Sequence, residues 1–219
     1  TCLETFKPLV THAVQAREQS WFGSDLEDHW ARVETYVQEG AGSPPKRPKE
    51  LVRHFSLAED GEVLANLFSP QRSWLETSWG RLDGRPDEQL SYMRRMGDMA
   101  DLHHLAWTQK SPQFGRVEDL DPEAEFAFHA LKAMKNDLVL PVIGRVLSEF
   151  SENDRLKIEL EATLKALCAF VVLRRSSFRN TRGLDDCLRK LCNEEVGGAG
   201  PFKFREGVSI ESDALKVHL

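Results

Sequence analysis

No apolar run in this sequence exceeds eight residues, Ala166–Leu173, far short of the roughly 20 that a membrane-spanning helix needs. Cysteine is scarce. Cys2, Cys168, Cys187 and Cys192 are too few and too scattered for a disulfide framework, and no Cys-x-x-Cys occurs. Cys168 and Cys192 fall on apolar helical faces, where a free thiol behaves as a small hydrophobe, so a reducing, cytoplasmic setting is expected. There is no surplus of positive charge either: 29 Lys and Arg against 35 Asp and Glu give −6, which excludes a polycation built to coat nucleic acid. Nothing at the N-terminus reads as a signal or transit peptide. The chain opens on Thr1 rather than Met, and reads as a piece of something longer or a processed product.

What is present is an ordinary globular composition, 41% hydrophobic and 29% charged over 219 residues. That is enough chain for one large domain or two small ones with a core of their own. The expected fold is all-α, an irregular multi-helix bundle over 1–192, followed by a Gly-rich hinge and non-helical tail over 193–219. Ser24-Asp25-Leu26-Glu27 has the form of a capping box. Leu26, Trp30, Val33 and Val37 then mark one apolar stripe. A loop at 40–48 precedes a helix with Pro48 in its first turn and Leu51, Val52 and Phe55 inward. Ser69-Pro70 reads as a helix start ahead of Trp74, Leu75 and Trp79. The next helix runs to about Trp107, with Leu90, Met93, Gly97, Ala100, His104 and Trp107 on one side. Asp121-Pro122-Glu123 starts another, and Asn136-Asp137 separates it from a helix over 138–150. The strongest helical pattern spans about 154–173, with Leu160, Leu164, Leu167, Cys168 and Val171 on one face. Thr181 can cap a last helix bearing Leu184, Leu188, Leu191 and Cys192. Gly197 to Pro201 breaks the pattern, and Phe202-Lys203-Phe204 alternates as a strand would.

The common catalytic signatures are missing. The glycines at 197–200 are followed by no Lys-Ser or Lys-Thr, and neither G-x-S-x-G nor H-E-x-x-H occurs. His103 and His104 are neighbours, about 100° apart on a helix, so they cannot share one ion; one is expected in the core and one toward water. His129 reads as a packed or surface histidine. Glu159 with Glu161, and Glu123 with Glu125, read as solvated faces and helix-dipole partners. The five tryptophans fit core packing better than base stacking. No catalytic residue, metal ligand or cofactor site is assigned to this chain.

One segment differs. From Arg174 to Lys190, six basic side chains face two acids, Asp185 and Asp186, giving +4 locally in a chain that is otherwise strongly acidic. Arg174, Arg175, Arg179, Arg182, Arg189 and Lys190 supply the charge. Guanidinium forks suit bidentate contact with phosphate or carboxylate. Asn180, Thr181 and the backbone donors of the following helix start add to a candidate anion site. Two readings stay open: contact with nucleic-acid phosphate, or pairing with the protein's own acids to pin helices together.

Three stretches resemble one family. Leu3-Glu4-Thr5-Phe6-Lys7-Pro8-Leu9-Val10 is similar to its LExFKPLVV entry, and Gln71-Arg72-Ser73-Trp74-Leu75 to its QRxWL helix. Leu173-Arg174-Arg175-Ser176, with Thr181-Arg182-Gly183-Leu184-Asp185 and Arg189, is similar to its LWRS…TxGLDxxYR element. The family comprises bacterial defence proteins related to the GmrSD modification-dependent restriction endonucleases and the phosphorothioate-sensing Ssp effectors. Its members join a ParB-like nucleotide-hydrolysing module, a helical region and an HNH-type nuclease module. The D-G-x-Q-R signature and the His/Asn nuclease motif are absent from this chain. Arg174 stands where the family has Trp, and Cys187-Leu188 where it has Val-Tyr. The resemblance, spanning about 2–192, therefore implies the middle helical region without either engine. Its implied partners are the two flanking modules and double-stranded DNA, with no membrane, and a nucleotide and divalent metal belong to the parent alone. The alternative is a free-standing helical protein whose basic element docks an acidic partner.

Overall fold

A computed structural model describes residues 1–15, 20–39, 46–115, 117, 119–150, 154–178 and 184–192. Among these residues the regular elements are all helices, with no β-sheet. The expected tail over 193–219, including the candidate strand at Phe202–Phe204, lies outside the described residues, as does the Thr181 cap. The chain divides into two compact units, one of Thr1–Ser56 and Val63–Gly115, the other of Leu57–Glu62 and the chain from 116 onward.

The first unit contains α1 (Cys2–Gln15), α2 (Ser20–Glu39), most of α3 (Arg47–Asp60), α4 (Phe68–Gly80) and α5 (Pro86–Asp101). The last of these runs on into a π-helical turn, Leu102–Trp107. Its core is a chain of aromatic rings: Phe6 lies 6.1 Å from Trp30 and edge-on to Trp79 at 5.5 Å. Trp79 leads to Tyr92, Tyr92 to Phe55, and Phe55 to Trp74, each across 5.0–5.9 Å. Tilted and edge-on contacts at these separations are the favoured aromatic geometry. Trp30, Trp74 and Trp79 are thus core residues, as expected, while Trp107 is half-buried.

α2 and α5 pack closely because α5 has no side chain at the crossing. A Cβ on Gly97 would sit 3.0 Å from Arg32 Nη1 and 3.3 Å from the His29 carbonyl oxygen. Arg32 lies across this glycine and donates to Asp98 at 2.5 Å and Asp101 at 2.8 Å.

Several boundaries differ from the sequence reading. α2 begins at Ser20, so Ser24 lies a turn inside the helix and the capping box is not used. α4 begins at Phe68 behind Leu67, placing Pro70 within the first turn rather than Ser69 at the cap. The buried face of α5 and the π turn is centred about one residue earlier than expected. Met93, Gly97 and Ala100 are buried as expected, but Gln89, Tyr92, Met96, Met99 and His103 are buried beside them, while Leu90, His104 and Trp107 are half-buried. Two polar residues on that face, Gln89 and His103, concealed the true centre from a search for apolar spacing.

The second unit holds α6 (Pro122–Ala133), a 3₁₀ turn (Asp137–Val139), α7 (Leu140–Glu149), α8 (Leu156–Phe178) and α9 (Leu184–Cys192). Asp121 caps α6 as its spacing implied, accepting from the Ala124 amide at 2.7 Å. Lys165 donates to the same carboxylate at 2.7 Å and, with the backbone donor, holds its pKa down to about 2. α6 packs on α8, and both α8 and α9 pack on α7. Leu160, Leu164, Leu167 and Val171 of α8, with Leu184 and Leu188 of α9, are buried there.

Candidate functional site

The arginine element begins on α8, which continues five residues past the expected end at Leu173, so Arg174 and Arg175 are helical. Both are half-buried. Arg175 does not point to solvent as a phosphate ligand should: its Nη2 donates at 2.9 Å to the carbonyl oxygen of Met134, at the C-terminal cap of α6. A cation there meets the negative end of the α6 dipole and satisfies a carbonyl the helix leaves open. Lys135 follows in the left-handed region (φ 52°) and ends α6. For Arg175 the internal role is therefore the one observed, although its partner is a carbonyl rather than a carboxylate.

Arg189 is exposed on α9, a helix whose opposite face buries Leu184, Cys187, Leu188 and Cys192. Lys190 follows on the same helix. Arg179, Asn180, Thr181 and Arg182 lie outside the described residues. Of the eight candidate contact residues, the structure thus places Arg174 and Arg175 on α8 and Arg189 and Lys190 on α9, both helices seated on α7.

α9 is held from its C-terminal end. Arg145 of α7 donates to the carbonyl oxygen of Cys192, and also to that of Ala58 at 3.3 Å. Burial pushes the Cys192 thiol up to about 12, against the opposing field of Arg145. This cysteine is a packing residue with negligible thiolate at neutral pH, as its place on an apolar face implied.

The acidic residues behave differently from expectation. Glu159 is fully buried rather than solvated, and accepts from Arg155 Nη2 at 2.6 Å. Glu161 is largely covered and accepts from the Asp121 amide at 2.8 Å. Both were expected to be solvated; the bond from the Asp121 amide draws Glu161 under the start of α6, while Glu159 lies about 200° away around α8. Glu125 stays exposed, 3.8 Å from His129, itself a surface residue.

A buried histidine pair escaped the sequence reading. His54, on α3, and His103, on the π turn, are both buried, with His54 Nδ1 and His103 Nε2 3.0 Å apart. The ring planes are within 9° of parallel and the centroids 5.0 Å apart. The nitrogens are 2.0 Å closer than the centroids, so they lie between the rings and meet edge to edge in an N–H···N hydrogen bond. A shared ion does not fit: with the lone pairs aimed at each other, 3.0 Å is shorter than two metal–nitrogen bonds of ~2.0 Å placed end to end. His54 lies three residues after Leu51 and one before Phe55, so its inward position was legible in the spacing; the pairing was not. Among the described residues, no three His, Cys, Asp or Glu side chains gather where they could hold a metal ion. No helix among them is long and apolar enough to cross a membrane.

Neither a protein-family model nor a curated protein sequence matches this chain.

Proposed function

We propose that this chain is the non-catalytic helical connector and sensing region of a modification-dependent DNA restriction or anti-phage defence protein of the bacterial cytoplasm. It couples a ParB-like nucleotide-hydrolysing module to an HNH-type nuclease, and its arginine element touches DNA phosphate. The all-helical architecture agrees with this reading, and the ordered resemblance over 2–192 supports it. The observation that carries it is the arrangement of the basic element. α8 and α9 are both seated on α7, and α9 turns its apolar face inward while Arg189 is exposed. An exposed guanidinium on a docked helix is pre-organised to meet an anion. Arg175 is engaged with Met134, and the contact falls to the other seven candidates, Arg174, Arg179, Asn180, Thr181, Arg182, Arg189 and Lys190.

Two tests bear on the coupling role. The encoding reading frame should continue on both sides into the flanking modules; stop codons close to both ends would reject the connector. The purified chain, supplied with nucleoside triphosphates, duplex DNA and Mg²⁺, should turn over neither; hydrolysis or cleavage by this chain would assign it an engine of its own.

A further inference from the structure

Neither the arginine element nor the packing of the apolar core explains the buried histidine pair. It joins residues 49 positions apart, and one partner sits on a π-helical turn, an uncommon, wide winding that recurs at functional positions. The π turn follows α5 without a break, so something must favour the wider winding over continued α-helix. His103 is the buried side chain of that turn with an observed tie to another helix.

We propose that the His54–His103 hydrogen bond is a proton-operated latch that holds the Leu102–Trp107 turn against α3 and opens as the two rings take up protons. In the closed, neutral pair one ring donates and the other accepts. A first proton leaves a charge-assisted bond, but places its charge in a dry site. A second leaves two N–H donors facing each other across 3.0 Å with no acceptor between them. The open, hydrated rings accept both protons, so acid draws the latch open.

The surroundings do nothing to hold protons in the closed form. The titratable and charged groups that border the pair are Tyr36 on α2, whose ring is 5.2 Å from His103, Arg53 on α3, and His104 on the turn itself. Asp101, where α5 meets the turn, and Asp98, a turn earlier, are both held by Arg32 of α2. Burial lowers the pKa of both histidines, with the charges of His103 and Arg53 adding to the effect at His54. Among the described residues, no carboxylate figures as a counterweight.

The test is amide hydrogen exchange on the full 219-residue chain at pH 7 and pH 4.5, corrected for intrinsic rates. Peptides covering 99–108 are compared with peptides from α8. The latch predicts that protection of 99–108 falls at least about tenfold more than that of α8, since two exposed rings of ordinary pKa become protonated across this interval. His103→Gln carries its amide nitrogen four bonds from Cα, as Nε2 is, and so keeps a bond partner for His54 without titrating. With one of the two titrating rings removed, the variant keeps only the response of His54, so its loss of protection at 99–108 should be at least about tenfold smaller than that of the wild-type chain. If Gln at 103 does not fold, His54→Asn, which mimics Nδ1 in the same way, carries the comparison. An equal loss of protection throughout the wild-type chain, no loss at 99–108, or an acid response in the isostere equal to that of wild type would each overturn the latch.

Discussion

Gln71 has no solvent exposure, and its amide group joins three segments. Its Nε2 donates to the carbonyl oxygens of Lys49 at 3.1 Å and Ala65 at 3.4 Å, while its Oε1 accepts from the Cys2 thiol at 3.5 Å. Gln71→Ala leaves a small cavity and two carbonyls without this donor, and should cost the first unit about 2–3 kcal/mol. All five tryptophans belong to that unit, so their emission during urea unfolding measures it alone. The same signal reads the histidine pair. The folded-state pKa of His103 is about 4, below the 6.5 of the free side chain. The unfolded chain therefore binds more protons between these values, and the stability is complete above pH 6.5 and lost as pH falls toward 4. That loss should amount to about 3 kcal/mol, and His103→Gln should reduce it. Single residues were the least legible scale in the sequence. Glu159 gives no sign in its own identity of being buried, and the His54–His103 pairing joins residues 49 positions apart.

Helices as elements were far more legible, because apolar spacing and capping chemistry are local. The Asp121 cap, Pro48 in the first turn of α3 and the α8 stripe could all be read directly. Errors fell where local signals compete. Ser24 and Ser69 are good cap residues, yet α2 and α4 start upstream of both, which shows tertiary packing outweighing a cap worth about 1 kcal/mol. At the end of α6, Lys135 adopts φ 52°, a conformation glycine takes without penalty. Lys135→Gly should therefore stabilise the protein by about 0.5–1 kcal/mol, visible as a higher melting temperature by circular dichroism. At the end of α9, Arg145 is the clamp. Arg145→Ala should expose Cys192 to alkylation at least about tenfold faster, with no matching change at Cys2, when labelling is quantified peptide by peptide. Equal rates before and after the substitution would show that α9 is held by its apolar face alone.

At the scale of the whole molecule, the contrast is between an acidic chain and one basic element. The all-α class followed from the helical periodicity that runs through most of the sequence. The division into two units, with 57–62 grouped apart from the rest of the N-terminal half, did not; it depends on contacts between segments far apart in sequence, which periodicity does not encode. The candidate site was legible as a charge cluster but not as a geometry. Nothing in the spacing separates Arg175, turned onto the α6 terminus, from Arg189, exposed on α9. The phosphate-binding reading is tested most directly by fluorescence anisotropy of a labelled DNA duplex titrated with this chain from 50 to 200 mM salt. Arg189→Ala/Lys190→Ala should weaken binding and reduce the slope of log affinity against log salt by about 2, roughly 0.9 for each phosphate that the variant no longer neutralises. Arg175→Ala should leave that slope in place. Affinity and slope unchanged in the Arg189/Lys190 double variant, or no duplex binding by the wild-type chain at 50 mM salt, would contradict that reading.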